Sequence, residues 1–221
     1  MDGRPFHPGP DWIQPGVLAS PAGLEYPDIL RKPTDYILIR FRRGGKQLIA
    51  LWYAFTFTAI LFGIAGVLAP HALDPGDAVF VSVATAVAIV AALVQILGLI
   101  RWPFVVPHLA RAYAEPTASQ GEREAIAIVF QALHRYAGVA IGEHLGYLFT
   151  SLWTVLIASA MIRSSLFPSW LGWAGLVPAF GILAGVLEET GFKPAGAVNA
   201  LSYILWSVWV VVTGVFMVVA G

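Results

Sequence analysis

The chain has 221 residues, of which 58% are hydrophobic and 12% charged, with a mean hydropathy of +0.75, whereas an ordinary soluble domain carries roughly 25% charged residues. Thirteen basic and thirteen acidic residues cancel, so bulk charge argues against nucleic acid as a partner, and the composition is that of an integral membrane protein whose first partner is the lipid bilayer. Cysteine is absent, which excludes disulfides, thiolate zinc sites, iron–sulfur clusters and cysteine nucleophiles.

The cancelled charge hides an asymmetry, because seven of the thirteen Lys and Arg precede residue 47. Residues 1–33 hold Pro5, Pro8, Pro10, Pro15, Pro21, Pro27 and Pro33 and read as a Pro/Gly-rich tail unable to bury a core of its own. If another subunit holds that tail down, its anchors are Trp12, Ile13, Leu18, Leu24 and Tyr26. No apolar signal-like run occurs in the first thirty residues, so the first transmembrane helix is expected to direct insertion.

A transmembrane helical domain is expected over residues 34–221. It opens with a short basic helix, started by Thr34 and Asp35 and stopped by Gly44-Gly45. Arg40, Arg42, Arg43 and Lys46 place that helix on the membrane surface and predict a cytoplasmic N-terminus. The first crossing spans about Leu48–Leu68, with Trp52 and Tyr53 at its inner edge, and a loop over Pro70–Asp77 without Lys or Arg follows. The second crossing, about Val79–Ile100, has Gln95 as its interior polar group and ends at Arg101-Trp102-Pro103 on the inner surface. Phe104–Tyr113 reads as interfacial and Glu115–Gly121 as a polar loop.

Arg123–His134 carries apolar residues at helical three-and-four spacing and reads as an amphipathic run that leads into a third crossing, about Tyr136–Ile162. A further crossing over Glu124–Ile141, with a turn at Gly142–Gly146, is the six-crossing alternative; it puts Arg135 near mid-bilayer at about 2.5–3.5 kcal/mol. The last two crossings span about Trp170–Leu187 and Ala197–Val219, separated by a loop with Glu188, Glu189 and Lys193. The fold class is therefore all-α, a polytopic transmembrane bundle of five crossings, with six as the alternative.

Chemistry concentrates in the third crossing. Gly138, Gly142 and Gly146 recur every four residues and predict a packing seam where a second helix approaches backbone to backbone. Glu143 and His144 stand beside that seam and are followed by eighteen residues without formal charge. An ionisable pair at such a depth faces protein or a water-filled cavity by default. Five crossings collect Gln95, Arg101, Glu143, His144, Tyr147, Glu188, Asn199, Ser202 and Tyr203 in one half of the bundle. A ligand or polar cavity is expected there, with Glu143, His144, Tyr147, Gln95, Asn199 and Tyr203 as its residues.

Glu143 and His144 diverge by about 100° on an α-helix, so a metal held by them needs further ligands from elsewhere; His108, Glu188 or Glu189 are the candidates. Haem would have to draw on His134, His144 and His108. Neither cofactor is predicted. Phosphate loops, serine-nucleophile motifs and metalloprotease helix motifs do not occur.

The blocks Phe130-Gln131-Ala132-Leu133-His134-Arg135-Tyr136, Gly142-Glu143-His144-Leu145-Gly146 and Pro168-Ser169-Trp170-Leu171-Gly172-Trp173 resemble the bacterial multi-pass family known as domain of unknown function 4386, over about residues 28–220. The resemblance implies a bacterial inner-membrane location, and the family name carries no activity from which a catalytic role could be transferred. The function expected is that of a non-enzymatic accessory subunit or membrane-embedded regulator that packs on another membrane protein or on itself; the alternative is a protein that binds a lipid, quinone or metal, or an enzyme, with its site around Glu143 and His144, and an oligomeric transporter is the third reading. A polar cavity around Glu143 favours the second, and a tail docked on another chain the first.

Overall fold

In a computed structural model that describes residues 28–73 and 76–220, the chain is an all-α bundle. Its helices are α1 (Thr34–Leu73), α2 (Ala78–Leu99), α3 (Arg101–Tyr113), α4 (Gln120–Leu133), α5 (Gly146–Arg163), α6 (Ser169–Ala184) and α7 (Ala195–Ala220). A 3-10 turn, Asp28–Arg31, precedes α1; a π-helical stretch, His134–Leu145, joins α4 to α5; and a second 3-10 turn, Gly185–Thr190, follows α6. Taken together where they run on, these make five helices long and apolar enough to cross a membrane: Thr34–Leu73, Ala78–Tyr113, Gln120–Arg163, Ser169–Thr190 and Ala195–Val219. The tail anchors Trp12, Ile13, Leu18, Leu24 and Tyr26 lie outside the described residues.

Large apolar side chains cover the outside, among them Phe57, Leu61, Ile64 and Leu68 on α1, Val177 and Phe180 on α6, and Val208, Val211 and Val215 on α7. Apolar surface on this scale is stable against hydrocarbon and not against water. The fold is that of a multi-pass membrane protein.

The turn expected at Gly44-Gly45 takes the form of a break inside α1: Gly45 has φ 52° and ψ −144°, outside the helical region, and helix resumes after it. A side chain at positive φ is strained, so glycine suits the break. The basic segment before it does more than lie on a surface. Ile37, Leu38 and Phe41 are buried in one cluster with Ile29 and Leu30 of the first 3-10 turn and Val106 and Leu109 of α3. Arg42, Arg43 and Lys46 are exposed and Arg40 is half-buried.

Trp52 and the Arg101-Trp102 pair, placed by sequence at the inner edge of the membrane, pack inside the bundle. Both tryptophans are fully buried and Arg101 is 6% exposed. The reason is that α3 runs on from α2 and packs along α1: the rings of Trp52 and Trp102 stack at 4.4 Å, with Phe41 5.3 Å from Trp102. Offset-stacked rings gain energy beyond their buried area.

Pro70, expected in a loop, lies within α1, which continues to Leu73. Proline cannot donate to the carbonyl four residues before it, here that of Gly66. The indole Nε1 of Trp153, on α5, donates to the Gly66 carbonyl at 3.2 Å instead. A carbonyl freed inside a bilayer needs such a partner.

The six-crossing alternative is corrected by the segment from α4 to α5. No turn forms at Gly142–Gly146; α4, the π-helical stretch and α5 run on from Gln120 to Arg163 as one membrane-length helix. Leu133, His134, Leu145 and Gly146, at the two joints, all keep right-handed helical dihedrals. Helical hydrogen bonds already satisfy the backbone here, and opening a turn inside a bilayer would forfeit them.

Candidate functional site

The three glycines of the sequence motif meet three different neighbours. A Cβ on Gly142 would stand 2.7 Å from the Gly98 Cα of α2, so these two positions touch backbone to backbone. A Cβ on Gly138 would run into the guanidinium of Arg101, and one on Gly146 would sit in ordinary contact with the Gln95 side chain at 3.5 Å. The seam is thus a helix contact at Gly142, a slot for a buried cation at Gly138 and a loose edge at Gly146. Gly138 and Gly142 lie in the π-helical stretch, whose i→i+5 bonding is rare and recurs at functional sites.

Beyond the seam the helices diverge and leave a cavity of about 740 Å³. α2 contributes Gln95, Gly98 and Leu99, the π-helical stretch contributes Glu143, α5 contributes Tyr147, and α7 contributes Asn199, Ala200, Tyr203 and Trp206. Phe55 and Thr58 of α1 form the opposite wall, and Arg31 and Glu188 stand at the polar end. α7 packs principally on α6, held close because Gly181 and Gly185 leave room for the Ser202 and Asn199 side chains. It meets α1 through an edge-to-face ring pair, Phe62 with Trp206, centroids 5.2 Å apart. Thr58 of α1 and Ile204 and Ser207 of α7 are exposed and also line the cavity, which opens it outward between α1 and α7.

One ion-pair cluster dominates the polar end. Arg31 donates through Nη2 to Glu143 Oε2 at 2.8 Å and through Nε and Nη2 to Glu188 at 2.7 and 2.9 Å. The hydrogen bonds to Glu188, followed by the field of Glu143, outweigh partial burial and push the Arg31 pKa up from its ordinary value. Tyr147 donates to Glu143 Oε2 at 3.4 Å. Glu143 Oε1 is buried and has no hydrogen-bond partner among the described residues, and the same holds for the Trp102 indole Nε1, which belongs to another wall residue. One spare acceptor and one spare donor therefore belong to residues of the same cavity.

A second layer fixes the segment that carries Arg31. His134 Nε2 pairs with the Leu30 carbonyl at 3.1 Å, and His134 Nδ1 with Arg101 Nη2 at 3.3 Å. A carbonyl only accepts and a guanidinium only donates, so the imidazole is neutral with its proton on Nε2. Arg101 also donates through Nη1 to the Gly98 carbonyl and lies over the Trp102 ring, 4.8 Å from its centroid.

Of the six residues expected at the site, Gln95, Glu143, Tyr147, Asn199 and Tyr203 line this cavity; His144 does not. Neighbours on a helix point apart, and with Glu143 turned inward His144 is turned away. Ser202 is likewise outside the lining; it packs in the α6–α7 contact at Gly181. Gln95 donates to Thr150 Oγ1 at 2.8 Å, and Asn199 donates to the Ile182 carbonyl at 2.9 Å, in the last turn of α6. His108 is exposed on α3. Among the described residues no group of three His, Asp or Glu is arranged to hold a metal ion, so Glu143, His144 and His108 do not form one. Sequence reasoning did not find Arg31, Phe55, Trp102 or Trp206. The one available signal was Arg31-Lys32 placed directly before the Pro33 that leads into α1.

Fold and site together define a polytopic helical membrane protein with a part-polar cavity at one end of its bundle. The chain belongs to the family described as domain of unknown function DUF4386, whose sequence model matches residues 16–221. Comparison with curated proteins and with solved structures finds no match.

Proposed function

We propose that this protein binds an amphipathic small molecule within the bilayer, with the polar end of the ligand at Glu143 and its apolar part between α1 and α7. The observation that carries this reading is the cavity of about 740 Å³, whose wall residues keep a buried acceptor at Glu143 and a buried donor at Trp102 unpartnered among the described residues. Unsatisfied buried polar atoms are uncommon in native structures and each costs about 1–3 kcal/mol. Pockets of roughly 300–1,000 Å³ with mostly apolar walls and a few convergent polar groups are the usual form of a small-molecule site. The reading is one of binding. The accessory-subunit reading looks to residues 1–27, outside the described ones, and transport would require an oligomeric pathway.

For the location we propose a bacterial cytoplasmic membrane with the N-terminus inside. Arg42, Arg43 and Lys46 are exposed at one end of α1, whereas the connection after its other end carries no Lys or Arg, the asymmetry expected of cytoplasmic and external sides.

The test is purification from native membranes in mild detergent, followed by extraction and mass spectrometry of what accompanies the chain. One amphipathic compound near one per chain is expected, and Ala200→Trp, which fills the cavity wall opposite Phe55, should remove it. A stoichiometric protein partner with no small molecule, or a compound retained unchanged in A200W, refutes the proposal.

A further inference from the structure

We infer that the head of this ligand is cationic: the cavity takes an amphiphilic amine, and the Arg31 guanidinium holds its place in the structure as an internal substitute. This deepens the cavity reading above and rests on it.

The charge at the polar end is arranged for a cation. Arg31 lies between two carboxylates that come from distant elements, Glu143 in the π-helical stretch and Glu188 in the 3-10 turn after α6. It satisfies both oxygens of Glu188 but only Oε2 of Glu143. Glu143 Oε1 remains buried without a partner among the described residues, and a carboxylate oxygen can be satisfied only by a donor. The Glu143 side chain is 14% exposed and that of Arg31 44%, so the acid belongs to the interior and its cation to the rim. Arg31 is also held on a short turn rather than on a long helix. A ligand ammonium reaching Glu143 from inside the cavity would be more fully desolvated than the guanidinium, and its bond correspondingly stronger.

The walls suit the same chemistry. Tyr147, Tyr203 and Trp206 form a run of rings beside Glu143, with centroids 5.9 and 6.0 Å apart. Aromatic faces next to a carboxylate are the standard surroundings of an organic cation. The other cation in the lining, Arg101, does not make this an anion site, because its guanidinium is buried against Gly138, lies over the Trp102 ring and donates to the Gly98 carbonyl. Phe55 of α1 and Ile204 of α7 give the cavity apolar wall on the α1–α7 side for the ligand's apolar part.

The experiment uses the full chain in phosphatidylcholine nanodiscs, titrated separately with dodecylamine, dodecanol and dodecanoate while the unfolding temperature is followed by tryptophan fluorescence. Dodecylamine is expected to give a saturable rise that the other two do not. Its apparent Kd should weaken at least about tenfold in Glu143→Gln, from loss of a charged hydrogen bond, and tighten in Arg31→Ala, which removes the competing guanidinium. Glu188→Gln, at the rim, repeats the first comparison should E143Q fold poorly. An equal response to dodecanol or dodecanoate, or weaker amine binding by R31A, overturns the cationic assignment and leaves the cavity reading standing. A flat response to all three also overturns it, and the co-purification result then decides separately whether the cavity binds any amphiphile.

Discussion

Substituting the three glycines of one motif by alanine should split them into two costly positions and one tolerant one, although the sequence makes them look equivalent. In Gly142→Ala the new Cβ would lie 2.7 Å from the Gly98 Cα, a backbone atom that cannot rotate away, and contact distances begin near 3.4 Å. α2 and the π-helical stretch must part by about 0.7 Å, which also loosens the slot that Arg101 occupies. Overpacking of this kind costs about 1–3 kcal/mol, partly offset by the gain of up to about 1 kcal/mol that alanine has over glycine in a helix. Gly146→Ala carries the same gain and no clash, since the nearest atom is Gln95 Cγ at 3.5 Å. The two variants should differ by about 2 kcal/mol, and at about 2–4 °C per kcal/mol for a chain of this size that separates their unfolding temperatures by about 4–8 °C. Gly138→Ala should fall with G142A, because it displaces a buried guanidinium from its hydrogen bond to Gly98. The measurement is thermal unfolding in one detergent, followed by intrinsic fluorescence. Equal melting temperatures for G142A and G146A would show that the close approach of Gly98 and Gly142 does not hold, and with it the geometry of the cavity's α2 wall.

The bond from Trp153 to the carbonyl freed by Pro70 is open to a double-mutant cycle: Trp153→Phe should cost about 1–3 kcal/mol for the orphaned carbonyl beyond its packing loss, and the cost should shrink in a Pro70→Ala background, where a backbone N–H returns to Gly66. Additive effects in unfolding measurements would refute that compensation. Gly191 has φ 87° and open space around its Cβ position, so Gly191→Ala should lower stability by about 1–2 kcal/mol from backbone strain alone; Gly191→Asn should lose less, and equal losses would point to another cause. Because the chain has no cysteine, single cysteines report topology directly. Arg43→Cys and Glu124→Cys should be shielded from a membrane-impermeant maleimide in intact cells while Ser165→Cys reacts, and labelling of all three from one side would break the five-crossing order.

Length and hydropathy located the five spans because both are local properties: some twenty apolar residues in a row cross a bilayer whatever they pack against. The same locality left the packing of Trp52 and Arg101-Trp102 inside the bundle unseen, since nothing near them in the chain announces that α3 lies along α1 and stacks Trp102 on Trp52. Loop signals misled in the same way at Pro70, whose missing donor is replaced by Trp153, 83 positions later in the numbering. Polar residues inside apolar runs were legible as site candidates because burial makes them costly, and five of the six do line one cavity.

What the sequence by itself determined is that this chain is a membrane-spanning helical bundle that carries an acid, Glu143, inside its third span. Rotation of each helix about its axis, which puts Glu143 in the cavity wall and leaves His144 out of it, was settled only by packing, through the contact of Gly142 with Gly98. The partner of Glu143 was decided by tertiary structure too. Arg31 stands 112 residues from Glu143 and 157 from Glu188, and no periodicity within a helix can encode a meeting of three groups that the folded bundle alone brings together.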